Sequence, residues 1–112
     1  MAVPGSRLAE LRWKNVESVQ AEIAQEKARS LGRTADALTA ALERLAQIDA
    51  APSAESAGDR AEALAAAGQA LWYLVVQREA CGLRDVERVL REYGVPREVY
   101  LRMGYTPKRA SG

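Results

Sequence analysis

Residues 24–45 read Ala-Gln-Glu-Lys-Ala-Arg-Ser-Leu-Gly-Arg-Thr-Ala-Asp-Ala-Leu-Thr-Ala-Ala-Leu-Glu-Arg-Leu, and the spacing of their apolar positions decides the fold. Ala24, Ala28, Leu31, Ala35, Leu38, Leu42 and Leu45 follow one another in steps of four and three. That is the repeat of a helix face packed along a neighbouring helix. Small Ala alternates with larger Leu, which lets the neighbour approach closely. Gly32 falls off this seam and weakens the helix by about 1 kcal/mol relative to alanine.

Upstream, Val16, Val19 and Ile23 continue an apolar stripe displaced to one side. Asn15 is a suitable N-cap, with Glu17 in the first turn where an anion suits the helix dipole. The first helix is therefore expected at about 15–49, with a backward extension through Leu8, Leu11 and Trp13 left open. Residues 50–58, with Pro52, two serines and Gly58, break the pattern. Asp59 and Glu62 then have the spacing of a cap and its capping-box acid. The second helix runs over about 59–81 with Ala61, Leu64, Gly68, Leu71 and Val75 as its seam, and Gly82 closes it. A connection this short makes the two helices antiparallel neighbours.

Two short helices follow, at about 85–93 and 96–103, with Gly94 ending the first and Pro96 opening the second. Their inward positions are Val86, Val89, Leu90 and Tyr93, then Val99, Tyr100 and Met103. The fold class is thus all-α: an antiparallel hairpin of two long helices closed by two short C-terminal ones. Residues 1–14 are read as an N-terminal segment, 15–104 as a single helical domain and 105–112 as a tail. Composition agrees, since alanine dominates, phenylalanine is absent and β-branched residues are sparse.

The second helix carries Leu71-Trp72-Tyr73-Leu74-Val75-Val76, apolar around its whole circumference. A helix covering one side of a hairpin needs only one such stripe. At about 1.5 Å per residue, the first helix runs about 50 Å and the second about 35 Å. Paired back from the loop, the second covers the first only to about residue 26. The stripe of Val16, Val19 and Ile23 then needs another partner. Together with Leu71, Trp72, Tyr73, Val75 and Val76 it forms the candidate interface of a homodimer, with an unidentified protein partner as the other occupant.

Chemistry is restricted by what the chain lacks. It has no histidine, which removes His-based acid–base and nucleophilic sites and ordinary zinc sites. Phosphate-loop and dinucleotide-binding glycine patterns are also absent. The expectation is no enzyme activity, no cofactor and no metal. Glu22 and Glu26 read as part of a solvated face, and Gln77, Arg78 and Glu79 as a structural ion-pair region reaching Arg84 or Arg88. A small-ligand pocket beside Trp72 and Glu79 is a further, lesser reading. Cys81 reads as a plain buried thiol, and a lone cysteine with no apolar leader or membrane-spanning run favours the cytoplasm.

Residues 86–103, Val-Glu-Arg-Val-Leu-Arg-Glu-Tyr-Gly-Val-Pro-Arg-Glu-Val-Tyr-Leu-Arg-Met, resemble the helix-turn-helix pattern of bacterial DNA-binding domains. Gly94 matches the turn, Val95 the aliphatic residue after it, and Tyr100 and Met103 the inward sites of the second helix. The resemblance implies that Arg97, Glu98, Leu101 and Arg102 face DNA, with Arg84, Arg88, Arg91, Lys108 and Arg109 at phosphates. A net charge of only +1 argues against a globally basic nucleic-acid binder. Separately, the stretch Leu-Trp-Tyr-Leu-Val-Val-Gln-Arg-Glu-Ala-Cys-Gly-Leu-Arg-Asp, followed by Tyr-Gly-Val-Pro-Arg-Glu-Val, is similar to small bacterial helical proteins grouped as a domain of unknown function. That resemblance implies no catalytic residues.

Overall fold

In the computed structural model, which describes the backbone of residues 4–104 and the side chains of residues 12–104, every regular element is helical. The first helix, α1, spans Pro4–Ala50. It begins at Pro4 rather than at the Asn15 cap, because proline has no N–H to leave unsatisfied in a first turn. Asn15 instead lies exposed within the helix. A short 3₁₀ turn, Ala54–Ser56, leads directly into α2, Ala57–Ala80. Two short helices close the chain: α3, Val86–Glu92, and α4, Arg97–Leu101.

The connection is capped earlier than Asp59 and Glu62 suggest. Ser53 and Ser56 form the reciprocal box: the Ser53 N–H donates to Ser56 Oγ at 3.0 Å, and the Ser56 N–H to Ser53 Oγ at 3.2 Å. Asp59 lies in the first turn of α2, where its charge still complements the dipole. At the other end, the Leu83 N–H donates to the Arg78 carbonyl at 2.8 Å and the Gly82 N–H to that of Glu79 at 2.9 Å. The same pair of bonds recurs after α3, from Val95 to Leu90 and from Gly94 to Arg91. Both stops place a glycine at positive φ, 83° at Gly82 and 60° at Gly94, where a Cβ would be strained. Pro96 is the N-cap of α4, one position before its expected place.

The contacts divide the chain into two compact units, Met1–Ser30 and Leu31–Gly112. In the first unit every side chain from residue 12 to residue 29 is exposed, Ala24 and Ala28 included. The second unit holds the core: Leu38 and Leu45 of α1, Ala63, Leu64, Ala67, Leu71, Leu74 and Val75 of α2, Val89 of α3 and Val99 of α4. Ala61, expected in the seam, is exposed. The buried face of α2 is wider than a single seam because α1 does not cover it alone. The short C-terminal helices contribute to the same core.

The tightest packing is at Gly68. A Cβ built there would lie 2.8 Å from the Arg102 carbonyl oxygen and 2.9 Å from its carbonyl carbon. The end of α4 thus rests on the backbone of α2. Charge ties reinforce this docking. Arg60 of α2 donates from Nε to Asp49 at the end of α1, at 2.6 Å, and from Nη1 and Nη2 to the Glu98 carboxylate in the first turn of α4. Arg78 grips Asp85, the N-cap of α3, with contacts of 2.8–3.1 Å, in place of the expected involvement of Arg84 or Arg88. Asp85 is close in space because the chain reverses at Gly82. Arg88 instead pairs with Glu92 one turn on, at 2.8 Å.

These geometries set three expected outcomes. Gly68→Ala should destabilise the fold by about 1–3 kcal/mol, since backbone must move to admit a methyl. Gly32→Ala, which meets open space on exposed helix, should stabilise it by about 0.5–1 kcal/mol. Urea unfolding of the two variants checks the opposite signs. The Arg60 guanidinium holds the Asp49 carboxyl below its ordinary range, and Arg78 does the same for Asp85. A lowered folded-state value contributes stability that is present above the unfolded value, about 3.9, and is lost as pH falls through the folded one. Thermal melts between pH 7 and pH 2 should therefore show an acid-side fall in Tm below about pH 4, smaller in Asp49→Asn/Asp85→Asn.

Candidate functional site

The apolar turn of α2 divides into an inner and an outer set. Leu71 and Val75, both interface candidates from sequence, are 0% and 7% exposed and belong to the chain's own core. Trp72, Tyr73 and Val76 face outward at 42%, 49% and 42% exposure. The two rings stack at a tilt, with centroids 5.5 Å apart and an interplanar angle of 58°. Gln69, one turn earlier, donates from Nε2 to the Tyr73 hydroxyl at 3.1 Å. A Cβ at Gly104 would lie 3.4 Å from Trp72 Cδ1, so the residues just beyond α4 shield one edge of the indole. The outer set presents mostly apolar area with one polar end, at the Tyr73 hydroxyl.

A second apolar face lies in the first unit. Val16, Val19 and Ile23 are about half exposed, as the sequence spacing requires. Trp13, the most exposed of the group, belongs to the same stripe. Its position three residues before Val16 was the signal for including it. Glu22 and Glu26 are on exposed surface, and Glu26 meets Arg29 at 3.4 Å, a pair that contributes little in water.

The C-terminal helix pair carries the four DNA-contact candidates. Arg97, Glu98, Leu101 and Arg102 are all exposed. Glu98 is nevertheless committed to Arg60, and the Arg102 backbone is set against Gly68. Tyr100, expected inward, is 43% exposed, because Val99 takes the core position of this single turn. Lys108 and Arg109 lie outside the described residues. Arg84, Arg88 and Arg91 border one shallow depression together with Asp85 and Glu87, so the surface there is of mixed charge.

An open groove runs between α1 and the turn joining α3 to α4. Leu42, Leu45, Tyr93 and Pro96 line it, with the carboxylates of Glu43 and Asp49. Asp49 is already held by Arg60. Neither Trp72 nor Glu79 borders this groove. Cys81, the C-cap of α2, is partly buried rather than fully enclosed.

Among the described residues no helix is long and apolar enough to cross a membrane. No curated protein and no solved structure matches the chain. A family model does match, over residues 14–111, which takes in both the Val16–Ile23 stripe and the Trp72 face. The chain belongs to that family, a family of unknown function (DUF6665).

Proposed function

We propose that this chain is a non-catalytic helical module that works by self-association, as a homodimer in the cytoplasm. The observation that carries the reading is the outer face of α2. Trp72, Tyr73 and Val76 stand together at 42–49% exposure on the helix whose other side supplies most of the core. Aromatic residues of this kind, with one polar tip, are enriched where proteins meet. Adjacent apolar surface on a small protein marks such a contact. The absence of histidine and of phosphate-binding glycine patterns supports a role without catalysis. A reducing compartment suits the single thiol of Cys81.

Duplex binding is the second reading, favoured by the exposure of Arg97 and Arg102 beyond the Gly94 turn. It has less support. A five-residue α4 is short for a helix that must enter a groove, and Glu98 is tied back to Arg60.

The test is sedimentation equilibrium of the full chain alongside Tyr73→Asp and Val76→Asp. Both positions are half exposed, so helicity by circular dichroism should be unchanged. The expected result is a dimer that weakens at least about tenfold in each variant, in keeping with a charge placed in an apolar contact. A monomer at every concentration, or a dimer indifferent to both substitutions, overturns the reading. In the latter case, salt-sensitive anisotropy with labelled duplex that is lost in Arg97→Ala/Arg102→Ala would move DNA binding to first place.

A further inference from the structure

Two apolar stripes on this chain carry opposite charges at their ends. A helix turns about 100° per residue, which sets Trp13, Val16, Val19, Gln20 and Ile23 on one face of the first unit. Arg12 and Lys27 fall on that same face at its two ends, whereas Lys14, Glu17, Glu22 and Glu26 fall to its sides or behind it. The outer face of α2 has the complementary form. Gln69, Trp72, Tyr73 and Val76 make the stripe, and Glu62 and Glu79 stand at its ends, both exposed. The one cation of α2 between those two glutamates, Arg78, is committed to Asp85. At about 1.5 Å per residue, the cations are about 22 Å apart and the anions about 25 Å apart, so the two stripes are nearly equal in length.

We infer that residues 12–27 of one copy dock antiparallel on the α2 face of a second copy. In that direction Arg12 meets Glu79 and Lys27 meets Glu62. With Val16 level with Val76, Val19 is level with Tyr73 and Ile23 with Gln69, and Arg12 and Lys27 then lie about 1.5 Å and about 4.5 Å along the axis from the levels of Glu79 and Glu62, within reach of these long side chains. Antiparallel pairing also opposes the two helix dipoles favourably. Residues 12–29 bury no side chain of their own, and a helix so exposed draws most of its stability from packing it has yet to make. The partner's α2 stripe supplies that packing at matching length and opposite charge. This inference rests on the self-association reading and adds to it the two surfaces and their direction.

The test uses charge exchange and cross-linking in the full chain, with Cys81→Ser as background. Lys27→Glu alone and Glu62→Lys alone should each weaken the dimer about tenfold. The double variant Lys27→Glu/Glu62→Lys should return it to within about threefold of the parent. Copies carrying Val16→Cys, mixed with copies carrying Val76→Cys under mild oxidation, should form a disulfide-linked heterodimer. A dimer whose charge variants do not rescue one another, and in which Val76→Cys does not link to Val16→Cys, overturns this pairing and leaves self-association standing. Preferential linkage of Val76→Cys to Ile23→Cys overturns the antiparallel direction. A chain that is monomeric throughout overturns both readings together.

Discussion

The second unit depends on one close approach, the carbonyl of Arg102 laid against Gly68. A hydrogen at that position of α2 admits backbone where any side chain would hold it off. With α4 seated there, Val99 reaches the core fully buried, and Gly104 arrives at the indole of Trp72. The other features of the unit follow from that seat. Arg60 spans the gap between the end of α1 and the start of α4, holding Asp49 with one edge of its guanidinium and Glu98 with the other. Arg78 performs the equivalent task at the start of α3.

Much of this was legible in the sequence, and the division between what was and was not is physical. Leu38 and Leu45 lie where the heptad spacing places them, and the stops at Gly82 and Gly94 are local chemistry that spacing and residue type reveal. Gly68 could be read as a small residue in a packed seam. That its neighbour would be the main chain of Arg102 could not be read, because that contact is set by the two intervening turns, at Gly82 and Gly94. The ion pair expected between the Gln77–Glu79 region and Arg84 or Arg88 forms instead between Arg78 and Asp85 for a related reason: the reversal at Gly82 decides which side chain returns. Ser53 and Ser56 form a capping box ahead of Asp59 because the break contains a 3₁₀ turn of its own, Ala54–Ser56, that leads directly into α2.

The candidate surface was half legible. Periodicity marked Leu71 through Val76 as a segment needing burial on more than one face. It could not tell which members the short helices would take. The structure assigns Leu71, Leu74 and Val75 to the interior and leaves Trp72, Tyr73 and Val76 outside. In α4, Glu98 and the Arg102 backbone act as fasteners, the first to Arg60 and the second against Gly68. A motif defined by spacing alone does not record whether its side chains are already occupied.

The brevity of α4 has a consequence for how the chain opens. A helix of five residues has no cooperative stability of its own, so its hydrogen bonds last only while it is seated on α2. Lifting α4 away breaks the Arg60–Glu98 tie and removes Val99 from the core in one event. Its amides thus belong to a subglobal unit whose exchange with solvent reports detachment of the C-terminal segment, distinct from the slower exchange of the central turns of α2. The end of the chain serves as a built-in gauge of how firmly the core is held.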